Sequence, residues 1–244
     1  MSFSAVFSKI NLTPQLLREY GDAAIRNASD LLEEASLLGA NAHWARAYFL
    51  AVAAIEETGK ALLAFDAQGR NLLDPTVTTK LKRSMEDHPS KIRAAFTGWL
   101  AASPIVRDVV LPMVDLMIHL QQGREPSMYT EIRADTNTVQ LPADVVRETA
   151  ARDCIRLASD CLTHARRHMA ETTPQRRTRA EDRLYAMKTT QFQKIANTKD
   201  FWWYYIAQLE SGQKDFAQAV VQYRKEFFIK GQQFKGAREE RGGT

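Results

Sequence analysis

From Thr13 onward, apolar residues recur at three- and four-residue steps. Leu17, Tyr20, Ala24, Ala28, Leu31, Leu32 and Ala35 trace one buried face of a helix. Thr13-Pro14 starts it, as an N-cap followed by proline at the first helical position, and it runs to about Leu38-Gly39. A second helix, about Ala42 to Gln68, is apolar nearly all round from Trp44 to Ile55, which predicts the central core helix. A third helical stretch, about Val77 to Ala102, contains Pro89, which cannot sit in a continuing helix without kinking it. Ile105 to Gln122 reads as a fourth helix, bent at Pro112. Residues 123–141 form the one long irregular region, of the kind that carries function or its own short structure. Helix returns at about Pro142–Glu171, then from Thr173-Pro174 to about Asn197, Lys199–Glu210 and Gln213–Phe234. The pattern is all-α, with a main bundle over residues 1–172 and a helical appendage over 173–244.

Composition narrows the class. The 244 residues are 45% apolar and 25% charged, and 11 glycines and 8 prolines are too few for a turn-rich β sandwich. The longest apolar run, Ala47 to Ile55, is less than half of the ~20 residues that a membrane span needs. No signal peptide is read in MSFSAVFSKI, so a cytoplasmic protein with no membrane partner is expected. Cys154 and Cys161, seven helical residues apart, would lie about 10 Å from each other, too far to bridge. Charge is uneven. Residues 166–244 hold 16 Lys and Arg against 9 Asp and Glu, leaving 17 against 20 for residues 1–165. That basic third fits either an anionic partner such as RNA or a solvated helical surface.

Chemistry concentrates in two places. In AVAAIEETGKALLAF, residues 51–65, Glu56 and Glu57 interrupt an otherwise apolar helix, with Lys60 one turn beyond Glu56. An uncompensated buried carboxylate costs several kcal/mol, so a basic side chain from another helix must reach Glu56 or Glu57. That pair either fixes helix register or orients a catalytic Arg or His. In the second place, Arg83-Ser-Met-Glu-Asp-His88-Pro-Ser-Lys91, a continuous helix would set Arg83 and His88 roughly 140° apart. Pro89 instead pushes residue 88 away from helical backbone and opens a new helix. His88 then sits where free N–H groups attract a phosphate, beside Arg83 as clamp and Lys91 as an added charge.

IEETGKALL, DHPSK and REPSMY followed by LPADVV resemble, in order and spacing, the AbiV abortive-infection family of the wider HEPN group of helical proteins. The resemblance covers roughly Asn27 to His168. Arg83 to His88 satisfies the HEPN hallmark of an Arg and a His with four to six residues between them; Ser84 stands where active members usually carry Asn, Asp or His. The resemblance implies a HEPN-type bundle with additional C-terminal helices. It also implies a metal-independent endoribonuclease toxin of phage defence, needing no cofactor, that blocks translation by cutting RNA. Arg83 and His88 would be catalytic, with Glu56 or Glu57 orienting one of them. Arg124 and Tyr129, in the long loop, would shape the cleft or pin the loop, with packing the expected role of Tyr129. Cleavage through a cyclic phosphate wants both a base and an acid, so a homodimer facing two Arg83–His88 motifs is expected. The alternative is a non-catalytic module that senses a phage component or binds a partner protein.

Weaker patterns complete the reading. Cys154, Cys161, His164 and His168 share one helix face, with His164 and His168 at the spacing of a metal pair; without an acidic or histidine partner nearby a metal is not expected, and the cysteines are read as small core residues. Phe201-Trp-Trp-Tyr-Tyr205 covers every helix face, predicting packing or a subunit contact rather than base stacking. Arg176, Arg177, Arg179 and Arg183 are expected in a basic first turn and a half, unfavourable to the helix dipole unless an anion lies near.

Overall fold

The computed structural model describes residues 10–102, 107–122, 127–174 and 178–234. Its helices are α1 (Pro14–Ala40), α2 (Trp44–Ala67), α3 (Pro75–Glu86), α4 (His88–Ala102), α5 (Arg107–Gln122), α6 (Pro142–Val145) and α7 (Glu148–Glu171). They continue with α8 (Arg179–Ala186), α9 (Thr189–Ala196), α10 (Lys199–Glu210), α11 (Phe216–Tyr223) and a π-helical turn at Arg224–Phe228. The fold is all-α. Its strands are β1 (Glu131–Arg133) and β2 (Thr138–Gln140), an antiparallel hairpin inside the long irregular region. Among the described residues no helix is long and apolar enough to cross a membrane.

The chain divides into two units. The first takes Met1–Ala102 and His119–Gln175, the second Ser103–Ile118 and Arg176–Thr244. The division expected at 172/173 leaves out the segment 103–118, which groups with the C-terminal helices although the chain separates it from them.

In the first unit α2 is the central helix, packed by α1, α3, α4 and α7. Ala51, Val52, Ile55, Leu62 and Phe65 are all buried along it. Full burial of such an Ile, Leu or Phe side chain contributes about 1.5–3 kcal/mol. Thr13 caps α1 as expected, its hydroxyl accepting from Leu16 N–H at 3.1 Å with Pro14 at the first position. The expected helix over 142–171 is broken instead, at Val146 and Arg147, both with extended backbone.

In the second unit α10 occupies its predicted residues, and Phe201, Trp202, Trp203, Tyr204 and Tyr205 are all buried. Phe201 packs edge-on against Phe216 and Tyr223, at centroid distances of 5.7 and 5.4 Å. Tyr204 meets Phe227 and Phe234 at 5.6 and 5.5 Å. Trp202 Nε1 donates to Ala196 O at 2.8 Å and Tyr205 OH to Lys214 O at 3.3 Å. The aromatic run is therefore the core of its own unit, the packing alternative of its two expected roles. The basic helix start is corrected too. Helix α8 begins at Arg179 and not near Thr173, because Thr178 and Glu181 close a reciprocal capping box. Its first turn holds Glu181 and Asp182, which suit the dipole; Arg176 and Arg177 lie outside the described residues.

Candidate functional site

The site forms where α4 crosses α2. Gly59 permits the crossing: a Cβ at this position would lie 1.9 Å from the Lys91 carbonyl oxygen, so no larger residue fits without moving α4. That approach brings Glu56, one turn before Gly59, against the first turn of α4.

Glu56 is buried, and its Oε2 takes two partners. His88 Nδ1 lies at 2.7 Å and Lys91 Nζ at 2.9 Å. Lys91 is itself buried, at 4% exposure, whereas the His88 side chain keeps 54%. An imidazole nitrogen this close to a carboxylate carries the proton, which makes Nδ1 the donor and Nε2 the basic nitrogen. The 3.2 Å between Lys91 Nζ and His88 Nδ1 then separates two donors drawn to one oxygen. The charge-paired contact from another helix, expected of Glu56 or Glu57, is present at Glu56. Lys60 pairs with Glu57 rather than with Glu56 one full turn away.

The start of α4 explains how His88 is aimed. Asp87 has extended backbone and caps the helix, its Oδ2 accepting from Ser90 N–H at 2.9 Å and Ser90 Oγ at 2.6 Å. His88 is therefore the first helical residue and Pro89 the second, one position later than expected for the proline. The free N–H groups expected to attract phosphate are also corrected, since the Ser90 donor is already taken by the Asp87 carboxylate. Behind the cap, the buried Arg93 donates to Ser90 Oγ at 3.3 Å. Burial holds its guanidinium down to about 10, opposed by the charge of Asp87.

Arg83 lies in the last turn of α3 with its side chain exposed, on the helix that buries Val77, Leu81 and Met85. Burial, and after it the charge of Arg83, holds the Lys80 ammonium below its ordinary range. The loop residues separate from this picture. Arg124 lies outside the described residues. Tyr129 is exposed, at 58%, which overturns its expected packing role, whereas Ser127 nearby is buried. Arg93, Asp87 and Ser90 were not read from the sequence. Arg93 carried the same signal as Glu56, a charge inside an apolar helical stretch.

Cys154 and Cys161 are fully buried, and burial pushes both thiols up. Burial holds His164 down to about 4, with His168 and Arg167 adding to the effect. Among the described residues no three His, Cys, Asp or Glu side chains could hold a metal ion together.

Compared with known protein families, residues 16–163 match the family model of AbiV, a HEPN group. No curated protein and no solved structure matches the chain.

Proposed function

Since the chain belongs to the AbiV family of HEPN proteins, an abortive-infection group, we propose that it is a metal-independent endoribonuclease of phage defence. One observation carries the reading: a half-exposed imidazole whose Nδ1 is held by a buried carboxylate at 2.7 Å. That arrangement favours the tautomer protonated at Nδ1, and Nε2 is the nitrogen that exchanges a proton with a substrate. In the reaction, a base takes the proton of the ribose 2′-hydroxyl, O2′ bonds to phosphorus, and the P–O5′ bond breaks. An acid then protonates O5′, leaving a 2′,3′-cyclic phosphate and a 5′-hydroxyl. His88 is the base or the acid, and Arg83 offers charge to the phosphorane. Glu56 positions the imidazole, while Lys91 balances the charge of Glu56. One chain supplies one such histidine, so the second proton-transfer group comes from a second copy, in a homodimer with two His88 residues facing one cleft.

The test is purified protein on total RNA with EDTA present. Cleavage leaving cyclic phosphate ends is expected, and its loss in His88→Ala and Arg83→Ala. If both variants fold normally and cut as well as the parent, the assignment is wrong. RNA binding without cleavage by the parent would favour the non-catalytic module.

A further inference from the structure

The hairpin is amphipathic and its apolar face is bare. Glu131 lies opposite Gln140, Ile132 opposite Val139 and Arg133 opposite Thr138. Side chains alternate between the faces of a strand, so Ile132, Val139 and the extended Leu141 share one face. Glu131, Arg133, Thr138 and Gln140 share the other. The three aliphatic side chains are 77%, 65% and 50% exposed. A two-stranded ribbon on its own is marginal in water, and its outer edges present unpaired backbone groups to any matching strand. Among the described residues the sheet holds β1 and β2 alone.

We propose that β1 pairs with β1 of a second copy of this chain, antiparallel about a two-fold axis through Ile132. The two hairpins then make one sheet in the order β2, β1, β1, β2. Glu-Ile-Arg is self-complementary in that register. Glu131 faces Arg133 of the second copy and Arg133 faces its Glu131, while the two Ile132 side chains meet at the axis. Cross-strand pairs of opposite charge favour this pairing, and a parallel pairing would set glutamate against glutamate. Thr-Val-Gln at the other edge has no charge to select a register. Arg133 is meanwhile held by Asp135, at 2.7 and 3.1 Å, in a solvent-screened surface pair that can be exchanged. Assembly of the two ribbons brings four aliphatic residues, Ile132 and Val139 from each copy, onto one face. The inference rests on the homodimer of the proposed function but not on its chemistry.

The full chain tests it by cross-linking and charge exchange. In this pairing the two Ile132 Cα atoms lie about 4.5–5.5 Å apart, within disulfide reach. The two Val139 Cα atoms are three strand spacings apart, about 14 Å, and out of reach. Under a copper–phenanthroline oxidant, Ile132→Cys is expected to give a covalent dimer and Val139→Cys none; Cys154 and Cys161 are buried and do not compete. Glu131→Arg and Arg133→Glu should each raise the dimer dissociation constant about tenfold. The double exchange Glu131→Arg/Arg133→Glu should restore it. Cross-linking through Val139→Cys instead, or a dimer indifferent to all three charge variants, overturns the hairpin pairing and leaves the homodimer standing. A monomeric parent chain by sedimentation, including one whose hairpin captures a different protein, overturns both.

Discussion

Glu56 in α2 and Asp200 in α10 are both buried carboxylates, at 4% and 8% exposure, yet their surroundings differ in kind. Glu56 is met by two ionisable groups, His88 and Lys91, and one of them reaches half into solvent. Asp200 Oδ2 is met by neutral donors, Tyr223 OH at 2.6 Å and Phe234 N–H at 2.8 Å, inside an aromatic cluster. The first arrangement brings an imidazole, the side-chain type suited to proton exchange, to the surface. The second can only hold: it ties the chain after the π turn back onto α10. A buried carboxylate thus points to chemistry when a partner opens to solvent, and to architecture when its partners lie within an aromatic cluster.

The largest effect should come from Glu56→Ala. It strands the Lys91 ammonium in the core, a loss of about 3–5 kcal/mol by chemical denaturation. Adding Lys91→Met to that variant should recover most of the stability and none of the RNA cleavage. If Glu56→Ala were nearly neutral, the ion pair would not be the buried element that the contrast requires. Tyr223→Phe should cost less, about 2 kcal/mol for a hydrogen bond to a charged group, and leave the proposed RNA cleavage unchanged. A matching loss of activity would mean that the two carboxylates are not separate in role.

The smallest effect is a dependence on alkaline pH. Burial, followed by the bond to Asp200, raises the Tyr223 hydroxyl above its ordinary value near 10. The folded chain therefore keeps a proton that the unfolded chain gives up. The contribution of Tyr223 is complete below the unfolded value of about 10 and is lost as pH rises through the folded one. The stability gap between the parent and Tyr223→Phe should accordingly be constant from pH 7 to 9 and shrink above 10. A gap that widens there would reverse the sign of the coupling.

Much of this contrast was legible in the residues, and the rest depended on distant ones. The need of Glu56 for a basic partner followed from the apolar helix around it. Which cation would come could not be read, because the meeting of α2 and α4 is set by Gly59 against the Lys91 backbone, over thirty residues away in the chain. Thr13-Pro14 marked a true helix start, whereas Thr173-Pro174 misled because the Thr178–Glu181 box outweighs it. The aromatic run of α10 was read correctly as packing. Its partners Phe216, Tyr223, Phe227 and Phe234 stood in the sequence without any local sign that they would converge on it. Arg83 and His88 could be named from spacing, but a helix break at Asp87 decides how each is presented.

The crossing at Gly59 has a consequence for how this protein can vary. A methyl group there would have to widen a 1.9 Å approach by more than 1 Å before ordinary contact was reached. The displacement would be passed along α4 to His88, three residues from the point of contact, while Glu56 stayed with α2. Position 59 thus acts as a gauge block between two tools. Its own side chain does nothing, yet its thickness sets their separation, so the 2.7 Å alignment tolerates drift almost anywhere around it except there.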